Sequence, residues 1–155
     1  MVLRLKEREL VAVGVSVAAG CKPCADYHIA AARKARANGD DIRRAIADGL
    51  GLRRHATEIM RDRDLSQLGD NDHTAAAESL GEVDRLGALI GLGAAFAVNC
   101  TQRFGQLRPE VEVRGVTTAE IADVVELARM IKDKAASHVE RLACGHDAEV
   151  TSAAE

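Results

Sequence analysis

Residues 5–24 read LKERELVAVGVSVAAGCKPC. Apolar residues recur through the first fifteen of these positions with helical spacing, and Gly20 stops the pattern with a residue that often ends a helix. Pro23 suits the first turn of a new helix, where the backbone N–H that it lacks would have no helical partner. The stretch therefore predicts two consecutive helices, with a Cys-x-x-Cys pair at the start of the second.

The residues that follow continue the helical pattern. The second helix is expected to run to Ala37, before Asn38-Gly39, and Asp40-Asp41 are expected to open a third helix that runs towards Met60. Segment 61–72 is polar and contains turn-forming residues, so it is predicted to link two halves. Helical patterns resume after it, and the sequence as a whole predicts an all-α fold.

A shift of 79 residues aligns the first half of the chain with the second. Apolar positions then fall on apolar positions, including Leu10 on Leu89, Gly14 on Gly93, Cys21 on Cys100 and Ile42 on Ile121. The match predicts an internal duplication within a single helical domain of residues 1–142, with repeats at about 5–60 and 84–142 and a flexible tail at 143–155. Chance agreement between two Ala-rich helical stretches is the alternative.

The second repeat lacks three chemically active residues of the first. Under the same shift, Cys24 falls on Arg103, His28 on Leu107 and Glu9 on Ala88. The second repeat is therefore predicted to be degenerate. A scaffold that repeats without these side chains does not need them for folding, which favours a chemical role for them.

The cysteine pair has the spacing of a redox centre. Cys21 and Cys24 can approach closely enough for a disulfide, and unpaired N–H groups at a helix start favour a thiolate. His28 follows Cys24 by one helical turn and can take the thiol proton. Glu9, on the preceding helix, can complete a proton relay.

The other polar residues have simpler interpretations. Zinc bound by the pair with His28 as third ligand is an alternative, but the chain has no second Cys-x-x-Cys, and no metal or other cofactor is expected. Cys100 is interpreted as a small buried hydrophobic residue. Surface positions are expected for three of the other histidines and for the first charged cluster: His55, His73, His138, Arg4, Lys6, Glu7 and Arg8.

Composition limits the partners and the location. The net charge is −3 and aromatic residues make up 2% of the chain, so no nucleic acid partner is expected. The charged N-terminus lacks the apolar core of a signal peptide, which predicts a cytoplasmic protein. The longest uncharged run, between Arg85 and Arg103, is too short and too rich in glycine for a membrane span.

The spacing from Glu9 through Cys21 and Cys24 to His28 resembles the alkylhydroperoxidase D-like branch of the carboxymuconolactone decarboxylase family. The resemblance implies a duplicated all-helical fold, assembly into trimers or hexamers, and electron supply from a lipoylated or thioredoxin-like partner. It also implies that Cys24 attacks peroxide, that Cys21 resolves the product, and that Glu9 and His28 relay protons. Two features depart from the family pattern: Pro23 stands where well-known members have a histidine, and the motif lies in the first repeat rather than the second.

Three functions follow as hypotheses. The first is an enzyme, a thiol-dependent peroxidase or disulfide reductase with a hydroperoxide or disulfide substrate. The second is a lyase of the carboxymuconolactone decarboxylase type, a branch that does not need the cysteine pair. The third is a non-enzymatic redox-sensing or metal-binding module. Because small side chains leave apolar helix faces incompletely covered, a closed homo-oligomer is expected, with a trimer as the first choice.

Overall fold

The computed structural model describes residues 2–69 and 83–145, and these two segments contain helices and no strand. The all-α prediction is confirmed, and the helices hold more than half of the chain. None of the helices in the described segments is long and apolar enough to cross a membrane. The helices are α1 (Leu5–Ala19), α2 (Lys22–Lys34), α3 (Gly39–Gln67), α4 (Arg85–Ala97), α5 (Thr101–Val113) and α6 (Thr118–Ala143).

Two helix ends differ from the prediction. α2 ends at Lys34 rather than Ala37, because Arg36 adopts a left-handed conformation with φ of 65°. α3 continues through Gln67, so the predicted link does not begin at residue 61. The residues from 61 to 67 include arginine, leucine and glutamine, which form helices well even without an apolar face. Residues 70–72 of the predicted link lie outside the described segments.

Helix α1 lies at the centre of the fold and packs against α2, α3, α4 and α6. Val11, Val13 and Val15 are all fully buried, so this helix is apolar around most of its circumference. Gly14 and Gly49 allow α1 and α3 to approach closely, since a Cβ at Gly49 would lie 2.2 Å from the Gly14 carbonyl oxygen. This central position lets α1 contribute a side chain to a site formed by its neighbours.

The two halves share helix boundaries at the predicted 79-residue spacing. Cys21 and Cys100 are the N-caps of α2 and α5. Gly20, with φ of 73°, corresponds to Asn99, with φ of 59°, at the turn before each of these caps. The third helix of each half begins with a capping box, formed by Asn38 and Asp41 in α3 and by Thr117 and Glu120 in α6. These shared boundaries support the predicted duplication.

Candidate active site

The Cys-x-x-Cys pair lies at the first turn of α2 and forms a disulfide. Gly20 makes the left-handed turn that ends α1 and directs the chain into α2. Cys21 is the N-cap, and its sulfur accepts a hydrogen bond from the Cys24 backbone N–H at 3.3 Å. Both cysteines are buried, with 6% and 7% of their surface exposed. The sulfur of Cys21 is therefore held where the helix N-terminus favours negative charge.

His28 and Glu9 form a buried pair next to the disulfide. Nδ1 of His28, on α2, lies 2.8 Å from Oε2 of Glu9, on α1. An ionised carboxylate can only accept, so Nδ1 carries the proton and, in the neutral ring, Nε2 keeps its lone pair. His28 also lies one helical turn beyond Cys24. The four predicted site residues thus lie on α1 and on the N-cap and first two turns of α2, and two of them, Glu9 and His28, are hydrogen-bonded to each other.

Arg8 belongs to the site, so its prediction as part of a solvated face was wrong. Its Nη1 lies 3.5 Å from Oε1 of Glu9, and its side chain lines the cavity described below. Glu7 was also wrongly assigned, because it is half-buried and accepts a hydrogen bond from Arg85 at 3.1 Å. Arg4 and Lys6 are exposed, as predicted. Helix α1 is surrounded by four other helices, so even its first polar turns meet neighbouring side chains.

A cavity of about 480 Å³ opens beside the disulfide. Cys24 borders this cavity, and Cys21 is not among its lining residues. Its walls combine Glu9, Cys24 and His28 from the first half with Met130, Lys134 and His138 from α6. Of the two cysteines, Cys24 is therefore the one that faces this cavity, and both halves of the chain surround it.

His138 is a site residue that the sequence analysis placed at the surface. It is half-buried, and one of its ring nitrogens lies within 4.8 Å of the sulfur atoms of both Cys21 and Cys24. His55 is also half-buried, at 4.0 Å from Glu58, and His73 lies outside the described residues. Nothing in the local sequence marked His138, because the contact joins α6 to a turn in the other half of the chain.

Within the described segments, one group of side chains has the geometry to hold a metal ion. It comprises Cys21, Cys24 and His138. The zinc alternative had His28 as the third ligand, and the structure has His138 in that place. The two sulfur atoms are bonded to each other here and so do not act as thiolate ligands. A structural tetrahedral zinc site would also require a fourth ligand.

The cysteine at the equivalent position of the second half has a different environment. Cys100 is buried with 8% of its surface exposed, as predicted, and it is not in a disulfide. Its neighbour one turn on is Arg103, which donates a hydrogen bond to Gln106 at 2.9 Å. Cys100 therefore has no second thiol at the position that Cys24 occupies in the first half.

Comparison with known proteins gives one match. Residues 2–59 match the model of the carboxymuconolactone decarboxylase family. The matched segment spans α1, α2 and most of α3, and it includes Glu9, Cys21, Cys24 and His28. It is similar to the family as a whole and does not single out the alkylhydroperoxidase D-like branch. No significant match was found among curated proteins or among solved structures.

Proposed function

We propose that this protein is a thiol-dependent oxidoreductase that reduces hydroperoxides or disulfides with Cys21 and Cys24. The observation that carries the proposal is the buried disulfide at the start of α2, beside an imidazole whose Nδ1 is bound to a carboxylate. Burial of Glu9 and His28 has a desolvation cost, which a chemical role would explain. The peroxidase activity and the roles of Cys24, Cys21, His28 and Glu9 are part of this proposal.

In the reduced protein, Nε2 of His28 takes the proton of the Cys24 thiol. The Cys24 thiolate attacks one oxygen of the hydroperoxide, the O–O bond breaks, and the leaving alkoxide receives the proton from His28. Cys24 is now a sulfenic acid. The Cys21 thiol loses its proton and attacks the Cys24 sulfur, and the hydroxide that leaves takes up that proton to become water. The protein's two thiols supply the two electrons, and the disulfide is the oxidised product.

An external dithiol returns these electrons. Its thiolate attacks the Cys24 sulfur that borders the cavity, and Cys21 leaves as a thiolate that the Cys24 N–H stabilises. The second thiol of the donor then attacks the mixed disulfide and releases Cys24. A lipoylated or thioredoxin-like protein has the required chemistry, and the family resemblance suggests such a partner.

A lyase is the second candidate, because the matching family model is named for a decarboxylase. In that reaction Glu9 and His28 would act as an acid–base pair and the sulfur atoms would have no necessary role. The disulfide favours the oxidoreductase, since only a redox reaction makes use of it.

Continuous turnover of cumene hydroperoxide distinguishes these functions. Dithiothreitol, dihydrolipoamide and a thioredoxin system would each be supplied as the donor. We expect many turnovers per protein with at least one donor, no turnover in Cys24→Ser, and normal turnover in Cys144→Ser, which changes an exposed cysteine outside the site. A single oxidation followed by a change of assembly would indicate a sensor. Carboxymuconolactone decarboxylation that survives in the Cys21→Ser/Cys24→Ser protein would indicate the lyase.

We further propose that the protein assembles into a homo-oligomer, with three or six subunits as the family resemblance suggests. Large apolar side chains are exposed on both halves, among them Tyr27, Met130, Val139 and Leu142. Burial of such side chains against a second copy would remove them from water. Light scattering at micromolar concentration should give a trimer or hexamer mass, and a monomer mass would contradict this assembly.

A further inference from the structure

His138 is a second imidazole at the redox centre, and the mechanism above does not use it. We propose that, in the reduced protein, His138 donates a hydrogen bond from Nε2 to the Cys24 thiolate and so increases the thiolate fraction of Cys24. This inference rests on the proposed dithiol function. It adds a catalytic residue from α6, which lies outside the segment that matches the family model.

The contact between His138 and Arg141 determines which ring nitrogen can donate. Arg141 contacts Nδ1 of His138 through its guanidinium group. A guanidinium group only donates, so Nδ1 must accept, and the proton of the neutral ring then lies on Nε2. His28 has the opposite tautomer, because Glu9 accepts from its Nδ1. One histidine is therefore oriented as a base and the other as a hydrogen-bond donor.

The distances allow the proposed hydrogen bond after reduction. One ring nitrogen of His138 lies within 4.8 Å of both sulfur atoms while they are joined in the disulfide. When that bond breaks, the two sulfur atoms can no longer remain at bonding distance and must separate. Cys24 and His138 line the same cavity, whereas Cys21 is not among the cavity-lining residues. A rotation of the Cys24 side chain that brings its sulfur to hydrogen-bonding distance of Nε2 of His138 is therefore part of the inference.

Other charged and titratable groups surround His138 and also affect the Cys24 thiolate. Cations favour the thiolate and the carboxylate opposes it. These groups come from all three elements that face the cavity: Arg8 and Glu9 on α1, Tyr27 and His28 on α2, and Lys134 and Arg141 on α6. They are retained in substitutions of His138, so a comparison of two uncharged replacements isolates the hydrogen bond.

The test measures ionisation of Cys24 rather than turnover. In a Cys21→Ser background, the rate of Cys24 alkylation by iodoacetamide is followed against pH, with mass spectrometry of the Cys24 peptide to exclude Cys100 and Cys144. The midpoint of this rate profile is the pH at which half of Cys24 is a thiolate. His138→Leu should raise this midpoint by about one pH unit, which corresponds to a roughly tenfold loss of thiolate at lower pH. His138→Gln, whose amide N–H can reach the position of Nε2, should stay within about 0.3 units of the parent.

Matched variants control for indirect effects. His55→Leu removes a half-buried histidine on α3 and should leave the midpoint unchanged. If His138→Leu loses its helical circular dichroism, His138→Asn replaces it, since the shorter amide does not reach the Nε2 position and should show the same upward shift. The inference would be overturned if His138→Leu had the same alkylation midpoint as the parent, or if His138→Gln and His138→Asn had the same midpoint as each other. Absence of peroxide turnover with a shifted midpoint would refute the proposed peroxidase and leave this hydrogen bond supported.

Discussion

Each half of the chain contains three helices with matching start positions, but the two halves have different side chains at equivalent positions. In the first half, the first two turns of α2 after the N-cap Cys21 contain Cys24 and His28, and Nδ1 of His28 is hydrogen-bonded to Glu9. In the second half, the position of His28 is taken by Leu107, which is 2% exposed and part of the hydrophobic core. The same scaffold position therefore accepts an ordinary core residue.

This difference separates what the fold needs from what the chemistry needs. Ala88, at the position of Glu9, is 1% exposed, so the second half fills both buried positions without a polar pair. The second half still contributes to the first site, because α6 supplies Met130, Lys134 and His138 to the cavity wall. The first half therefore holds the Cys21–Cys24 disulfide, and the second half closes the space beside it.

The largest expected effect is on hydroperoxide turnover, and it should distinguish Cys24 in the first half from Cys100 in the second half. Cys24→Ser should abolish hydroperoxide turnover, because no cysteine then borders the cavity. Cys100→Ser should keep turnover within about twofold, since Cys100 is not among the residues that line this cavity. Steady-state peroxide consumption with the best donor checks both, and equal losses in the two variants would remove the distinction between the halves.

The next effect concerns the buried pair that the second half lacks. His28→Ala or Glu9→Gln should slow oxidation of Cys24 by roughly 10² to 10⁴ if the pair relays protons. Stopped-flow oxidation of the reduced protein by peroxide measures this step directly. His55→Ala is the matched control and should react at the parent rate. Parent-like rates in both His28→Ala and Glu9→Gln would show that the pair has no role in the thiol step.

Replacement of the Glu9–His28 pair by the residue types at the equivalent positions of the second half should lower activity without lowering the free energy of unfolding. The double variant Glu9→Ala/His28→Leu replaces the pair with the residue types that the second half has at the equivalent positions, Ala88 and Leu107. Its free energy of unfolding should equal that of the parent or exceed it by about 1 to 2 kcal/mol. His28→Leu alone should lower it, because Glu9 remains buried without its partner. Urea unfolding under reducing conditions measures both. A double variant less stable than His28→Leu would assign the pair a structural role instead.

The smallest expected effect compares the two capping boxes. The Thr117 backbone N–H and Arg85 hold the pKa of Glu120 below its ordinary value. A lowered pKa means that Glu120 stabilises the fold above its unfolded pKa of about 4.3 and loses this contribution as the pH falls through its lower folded pKa. Glu120→Gln should remove about 1 kcal/mol or less at pH 7 and less at acidic pH.

The counterpart in the first half is Asp41, whose pKa is lowered by hydrogen bonds from Lys6 and from the Asn38 backbone. Asp41→Asn should weaken the fold with the same sign of pH dependence. Thermal unfolding from pH 7 to pH 3 measures the two variants side by side. A loss that grows as the pH falls would contradict the direction of both pKa shifts.

Local sequence signals were sufficient for the turn between α1 and α2 and for the Glu9–His28 pair. Gly20 ended α1 at the predicted residue, because a left-handed turn there requires little more than a glycine. The spacing from Glu9 through the two cysteines to His28 predicted a cluster, and within it Glu9 and His28 lie in hydrogen-bonding distance of each other. These features depend on residues near one another along the chain, where helical periodicity is informative.

Features that depend on distant contacts were missed. The polar end of α3 gave no apolar periodicity, and the prediction stopped the helix at Met60 instead of Gln67. Arg8 was assigned to solvent although it contacts Glu9, and His138 was assigned to the surface although α6 brings it next to the disulfide. Such contacts arise from tertiary packing, which a single sequence pattern does not encode.

The most direct test of the central claim traps the reacting sulfur. Reduced Cys21→Ser protein is treated with one equivalent of hydroperoxide in the presence of dimedone, and the modified peptide is identified by mass spectrometry. We expect the label on Cys24, because no resolving thiol remains at Cys21 to remove the sulfenic acid. In Cys24→Ser, Cys21 should be labelled far more slowly. Equal labelling of the two variants, at rates that His28→Ala does not change, would contradict the account.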